Sequence, residues 1–328
     1  MSSGYIDSSC FNSQFADDIV SFVKEKRGLG LKYGAEERYL LHFDEYVLEV
    51  GFNGDTITKE LFENWTAQRP HEKAKTCENR QIILKGLCSY IVRMGGTAYI
   101  PSHMTRIKEP SPFRAHIYTG DELLRFLYAV DNMQGSELRR HVFSMFFRLL
   151  ICTGLRLSEA LELRRGDITF NNGKAVICIK KAKYDKQRLV PLTKDMSSML
   201  IDYLEKIDLF IPETDVVFPN NRGTPYIPSN VYMTFRKVLW DAGISHGGQK
   251  YGPRIHDFRH TFAVRSLRKL VLDGEDLRVV IPMLCQYLGH KNISATQTYL
   301  QFTADMFPQV VSQEEELLGN IIPRLEEL

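Results

Sequence analysis

The chain has 328 residues, 44% hydrophobic and 25% charged, with a formal net charge of +2. That balance excludes a disordered polyelectrolyte, and the length suggests about two globular domains. The longest apolar run, residues 142–155, is broken by Arg148 and is too short to span a bilayer. The N-terminus lacks a basic stretch followed by an apolar one, so neither membrane attachment nor secretion is expected, and the chain is expected in the cytoplasm.

Residues 1–12 are polar, and 13–95 read as helical. Phe15, Ile19, Val20, Phe22 and Val23 recur at helical spacing before Gly28 and Gly30, and Tyr39, Leu40, Phe43, Tyr46 and Val47 repeat the pattern. A short helix is expected from Thr58 to Trp65 with Thr56 as its cap. A long one is expected from Cys77 to Met94, with Ile82, Ile83, Leu87 and Ile91 on one stripe and Gly95-Gly96 ending it. Four helices without a strand pattern make a small bundle. Residues 96–113, with Pro101, Pro110 and Pro112, read as an extended linker. A second domain then opens on Thr119 and Glu122 at capping-box spacing, followed by Leu123, Phe126, Leu127 and Val130.

Val142, Phe143, Phe146, Leu149 and Leu150 predict an apolar helix ending at Thr153-Gly154. Asn172-Gly173 predicts a hairpin between strands at 167–170 and 175–180, with a third strand at 188–192. Later helices are expected near 194–208, 229–241, 257–272, 282–289 and 294–302. The fold class is therefore mostly α with a small antiparallel β-sheet. None of the six cysteines forms a C-x-x-C pair, which argues against a zinc site or disulfide framework, and Cys152 and Cys178 are read as small core residues.

Charge is unevenly spread. Residues 139–188 hold twelve Lys or Arg against four Asp or Glu, a local +8. Residues 301–328 hold six acids and one Arg, a local −5. A basic middle suits a polyanion, although a solvated charged face has the same composition.

Four short motifs carry the chemistry. Breaking a phosphodiester without metal needs a nucleophile in line with the leaving oxygen, fixed cations on the non-bridging oxygens, and an acid for the departing oxygen. Arginine suits the second task, because its planar fork donates two hydrogen bonds and keeps its charge. Arg156 follows a glycine break in Thr153-Gly154-Leu155-Arg156-Leu157-Ser158-Glu159, with Glu159 placed to hold its guanidinium. His256 and Arg259 lie at i and i+3 in His256-Asp257-Phe258-Arg259-His260 and share a helix face. Lys183 sits at the hairpin tip between Lys180 and Arg188, with Lys180, Lys181 and Lys186 close by. Leu288-Gly289-His290 ends a helix, and Tyr299 follows His290 by nine residues, on a short helix that Asn292 or Ser294 can cap. Each feature alone has an ordinary structural reading: a surface ion pair, a buried histidine, a turn lysine or a packing tyrosine.

Together, in this order, the four motifs resemble the tyrosine recombinase, or phage-integrase, family. The resemblance covers about residues 119–303. It implies a two-domain tyrosine-recombinase architecture: an N-terminal helical core-binding, DNA-binding domain at 1–95, a linker at 96–113, a mixed α/β catalytic domain at 114–303 and a C-terminal tail at 304–328. It leaves no room for a further arm-type DNA-binding domain ahead of the bundle. The family's two domains clamp duplex DNA.

The resemblance also implies roles. Tyr299 would attack the scissile phosphate and leave a 3′-phosphotyrosine. Arg156 and Arg259 would hold the non-bridging oxygens, His256 would act as general acid/base, and His290 would hydrogen-bond the phosphate. Lys183 would protonate the leaving 5′ oxygen; it is chosen over its neighbouring lysines because it stands five residues before Arg188. No metal, ATP or other cofactor is needed. The partners are double-stranded DNA and three further copies of the chain, a homotetramer on two DNA sites, with no membrane; a need for accessory proteins is not legible. Leu317, Leu318, Ile321, Ile322 and Leu325 would dock the tail on a neighbouring protomer or pack on its own domain. The role expected is the integrase or transposase of a mobile element. Its rivals are a telomere resolvase, a type IB topoisomerase, and a catalytically silent DNA-binding regulator.

Overall fold

The computed structural model describes residues 10–70, 72–104, 115–180, 187–247 and 252–289. The chain divides into two compact units, Met1–Pro112 and Phe113–Leu328.

The first unit contains four described helices: α1 (Ala16–Gly28), α2 (Gly34–Glu49), α3 (Lys59–Thr66) and α4 (Ala74–Arg93). Their apolar stripes meet in one core built on Phe15, Ile19, Phe22, Leu40, Phe43, Trp65, Leu84 and Leu87. The cap of α3 is Thr58, not Thr56: the Thr58 hydroxyl accepts from the Leu61 N–H at 3.1 Å. The Thr56 hydroxyl instead meets that of Thr97. On α4 the expected stripe is one residue too wide, since Ile83, Leu87 and Ile91 are buried while Ile82 is exposed. Two polar groups fasten the bundle. Buried Asp44 accepts from the backbone of Asn12 and Ser13. Buried Arg80 donates to the carbonyls of Trp65 and Ala67 and pairs with Glu72.

The second unit begins its described helices with α5 (Gly120–Asp131), whose Thr119 and Glu122 form the capping box expected from their spacing. Then come α6 (Glu137–Thr153) and the short α7 (Leu157–Leu161). A three-stranded antiparallel sheet follows in the order β1 (Ile168–Asn171), β2 (Lys174–Ile179), β3 (Arg188–Pro191). Asn172 and Gly173 both have positive φ, 48° and 73°, the backbone a two-residue hairpin turn demands. Register pairs Ile168 with Ile177 and Ile177 with Val190, so these side chains share the face turned to the core.

The last described helices are α8 (Lys194–Phe210), α9 (Pro228–Asp241), α10 (Ile255–Leu272) and α11 (Leu277–Leu288). Helix α11 starts five residues before the position expected from the sequence. Asp276 caps it by accepting from the Arg278 N–H at 2.8 Å, and Pro282 lies inside the helix instead of opening it. The helix expected at 294–302 lies outside the described residues. Phe126, Phe143, Phe146, Phe147, Phe235 and Phe258 form the centre of the main core. A second apolar cluster joins α10 to α11 through Val264, Leu267, Leu284 and Leu288. Cys152 is exposed and Cys178 only half-buried, so neither is the core residue its apolar neighbours suggested: on an amphipathic element, neighbours in sequence lie on different faces. Among the described residues no helix is long and apolar enough to cross a membrane.

Gly154 sets the entry to the candidate site. It ends α6 in the left-handed region, φ 62°, and a Cβ there would lie 2.7 Å from a ring carbon of Phe262 on α10. Gly154→Ala therefore combines left-handed strain with a ring contact, and we expect a loss of about 2 kcal/mol or more in urea unfolding of the full chain. An unchanged midpoint would show that Phe262 yields without cost.

Candidate active site

The described part of the site is assembled at the C-terminal end of α11. A helix leaves its last carbonyls without intrahelical partners, and the aligned peptide dipoles make that end negative. Here three guanidinium groups meet three consecutive carbonyls. Arg188, at the start of β3, donates its Nε–H to the Tyr287 carbonyl at 2.9 Å. Arg259, in the second turn of α10, donates to the Leu288 carbonyl. Arg156, ahead of α7, donates to the Gly289 carbonyl at 2.8 Å. Arg259 also donates to the carbonyl of Gly154 at 2.8 Å, tying the end of α6 to the same point.

One carboxylate organises two of these cations. Glu159, on α7 and buried, accepts from Arg156 Nη1 at 2.7 Å and from the Arg156 backbone N–H at 2.8 Å. The two amino groups of Arg188 reach its two oxygens at 2.9 and 2.7 Å, a bidentate pair. Burial alone would raise the Glu159 carboxyl; the hydrogen bonds and charges of Arg188 and Arg156 outweigh it and hold the group at about 2. Three cations against one anion leave a local excess of two positive charges, the electrostatics of an anion-binding site.

The two helices that carry the candidate residues start alike. In α7 the N–H of Arg156 donates to Glu159, and in α10 the N–H of Arg254 donates to the buried Asp257 at 2.9 Å, where the Arg254 guanidinium also pairs at 3.0 Å. In each case an acid three residues into the helix fixes the preceding arginine and accepts from that arginine's own backbone N–H.

His256 stands at the start of α10, exposed at one edge yet crowded by neighbours. Desolvation first, then His260, Arg259 and Arg156, push its imidazole below the ordinary 6.5, with Asp257 pulling the other way. The ring of His260 lies edge-on to it, centroids 4.9 Å apart. At neutral pH His256 is thus uncharged, and its ring is less basic than an ordinary imidazole.

Of the six residues singled out in the sequence, Arg156, His256 and Arg259 fall in this cluster. Lys183, His290 and Tyr299 lie outside the described residues. Lys180, a sequence alternative to Lys183, is ion-paired with Asp167 at 2.6 Å. Sequence reasoning assigned no role to Arg188 or Asp257. Asp257 had a usable signal, its capping-box distance from Arg254; Arg188 had none, because its partners are 29 and 99 residues away.

A family model described as the phage integrase family matches residues 117–305, more than half of the chain. The protein y4rB of Sinorhizobium fredii, which carries an integrase/recombinase name, is 28% identical over 313 residues, 92% of this chain and 98% of that one. Among solved structures, the XerH site-specific recombinase bound to its difH substrate before cleavage is similar at a TM-score of 0.61 and 26% identity, over 80% of this chain and 73% of that one. A lambda integrase tetramer bound to a Holliday junction shares the fold at a TM-score of 0.61 and 17% identity, over 86% and 76% of the two chains.

The Glu159 network has a pH signature. A carboxyl at about 2 when folded and 4.5 when free contributes about 3 kcal/mol of stability at neutral pH. Because the folded value is the lower one, this stability is complete above 4.5 and is lost as pH falls from 4.5 towards 2. In Glu159→Gln, denaturant unfolding should show lower stability at pH 7 and a shallower decline between those limits. Wild-type steepness in that variant would rule out Glu159 as the titrating group.

Proposed function

The chain belongs to the phage integrase family of tyrosine recombinases, enzymes that cleave and rejoin DNA, and we propose that it does so as the site-specific recombinase of a mobile element. The observation that carries this reading is the convergence of Arg156 and Arg259 on the end of α11, one residue before His290.

The Tyr299 oxygen attacks the scissile phosphorus, and its proton passes to His256, which burial and then the neighbouring cations keep neutral beforehand. A phenol with an ordinary pKa of about 10 needs such cations to react as phenolate. Arg156 and Arg259 donate to the non-bridging oxygens as charge builds on them. His290 adds a further hydrogen bond. The bond from phosphorus to the 5′ oxygen breaks, and Lys183 gives that oxygen its proton. The 3′-phosphotyrosine keeps the energy of the broken linkage, so a 5′-hydroxyl of a second strand reverses the step without ATP, metal or other cofactor.

Four protomers bring two duplexes together in this reading. The bundle at 1–95 contacts duplex DNA, 96–113 links it to the catalytic domain at 114–303, and the tail at 304–328 docks on a neighbour. The family match, XerH on difH and the lambda integrase tetramer on a junction support this arrangement. The y4rB relative, similar along nearly its whole length, supports the integrase role.

The test uses a nicked duplex built on the sequence that the full chain selects from random DNA. Wild type should trap a covalent adduct, while Tyr299→Phe should bind equally and trap none; an adduct of normal yield from that variant would remove Tyr299 as nucleophile. Arg156→Ala should fold yet cleave about 100-fold or more slowly, the loss typical when one donor to a developing oxyanion is removed. Unchanged cleavage would refute the clamp. Relaxation of any supercoiled plasmid, without exchange between defined sites, would favour a topoisomerase instead.

A further inference from the structure

We infer that Arg188 is a positioning residue for cleavage: by occupying the forked edge of Glu159, it keeps Arg156 on a single-point contact and turned outward to the phosphate. This rests on the reading of Arg156 as a phosphate clamp.

Each Glu159 oxygen accepts two hydrogen bonds. Oε1 takes Arg156 Nη1 and Arg188 Nη1, and Oε2 takes the Arg156 backbone N–H and Arg188 Nη2. A carboxylate offers about four acceptor positions, so this one is filled. The bidentate edge, which is the strongest arrangement for a guanidinium and a carboxylate, belongs to Arg188. Arg156 is left with one amino group on Glu159 and one on the Gly289 carbonyl. The burial of the two side chains matches this division. Arg188 is 8% exposed and sealed between Glu159 and α11, whereas Arg156 is 32% exposed.

The surroundings hold Arg188 in place. Its Nε–H is spent on the Tyr287 carbonyl. Its side chain lies against Gly289, where a Cβ would come within 3.2 Å of Cδ and Nη1. All three of its nitrogens are engaged within the protein, two of them on the Glu159 carboxylate. Removing it opens both oxygens of a buried carboxylate whose remaining counter-charge is Arg156. The better-satisfied geometry then available is a bidentate clasp between Arg156 and Glu159, which draws the clamp inward and away from the scissile group. Arg188 acts on the reaction through the direction in which Arg156 points.

The test compares adduct formation in a single turnover with DNA affinity, on the nicked selected duplex, for full-length wild type, Arg188→Ala, Arg156→Ala and the double variant. Arg188→Ala should bind DNA as wild type does but form the adduct about 10- to 100-fold more slowly, the scale of a misplaced catalytic group. Added to Arg156→Ala, it should cost nothing further, since its target is already gone. Arg188→Lys, which keeps the charge but cannot fork, should recover folding and only part of the rate. If Arg188→Ala yields no folded protein, Arg188→Lys carries the same comparison in both backgrounds. Full activity of the Arg188 variants beside a slow Arg156→Ala would overturn the positioning role and leave the clamp standing. A fully multiplicative loss in the double variant would show that Arg188 acts independently of Arg156, and also overturns it. Normal cleavage by Arg156→Ala would remove both readings.

Discussion

The second unit depends on how the end of α11 is satisfied. Three successive carbonyls, at positions 287, 288 and 289, would face the interior without partners; each instead receives an N–H from a different arginine. An unpaired buried polar group costs about 1–3 kcal/mol, so this end could not be buried without its donors. The donors come from β3, α10 and the turn before α7, and through Gly154 the end of α6 is bound in as well. A single helix terminus thus fixes the relative positions of four elements. The same contacts hold positive charge that exceeds the local negative charge, which a catalyst of phosphoryl transfer requires and a stable fold would otherwise avoid. The negative end of the helix dipole makes that excess tolerable before any phosphate is present.

Burial separates the charges of this unit by role. Glu159 and Arg188 are each less than a tenth exposed, and there an incomplete network is costly because the interior screens poorly. Their value lies in direction and completeness as well as in energy, since removing either partner would leave the other charge buried and uncompensated. Asp257 plays the matching part under α10, where it holds the backbone from which His256 and Arg259 project. Candidate residues just ahead of α7 and in the first turns of α10 are thereby held by acids inside those helices, a local device repeated at two places. The long-range part of the site is carried by arginine alone, whose planar fork reaches two carbonyls or a whole carboxylate at once.

Much of this was legible in the sequence where the physics is local. The capping box at Thr119, the left-handed pair Asn172-Gly173 and the stop at Gly154 each depend on a few adjacent residues, and each appears where the spacing put it. The family match at 117–305 agrees with the four motifs taken together. What was missed lies where a residue's partner is distant or its face is ambiguous. Thr56 and Thr58 are both good caps, and only the course of the chain into Thr97 decides between them. Ile82 and Cys152 sit among apolar neighbours but on the outer side of their helices. Pro282 marked the expected start because proline favours the first turn of a helix, yet Leu277, Val279, Val280 and Ile281 already belong to α11. Arg188 was visible only as a spacing mark for Lys183.

Charge shows the same limit. The twelve basic residues between 139 and 188 suggest a cationic surface, yet six of them already hold carboxylates. Arg156 and Arg188 share Glu159, Arg148 pairs with Asp131, Arg164 with Asp215, Arg165 with Asp208 and Lys180 with Asp167. Three of those acids, Asp131, Asp208 and Asp215, lie outside the window and are invisible to a running count. The pairs are not equivalent, however. Arg164 and Lys180 are about half exposed, and water screens such pairs enough that a DNA phosphate could take the place of the carboxylate. The freed carboxylate then recruits a cation from solution, which partly cancels the counterions released from the DNA. On such a surface the number of phosphates neutralised would exceed the number that salt dependence reports, and neither would equal the basic residues in the sequence. The cations at the end of α11 differ from these pairs, because helix carbonyls and the buried Glu159 hold them in fixed directions.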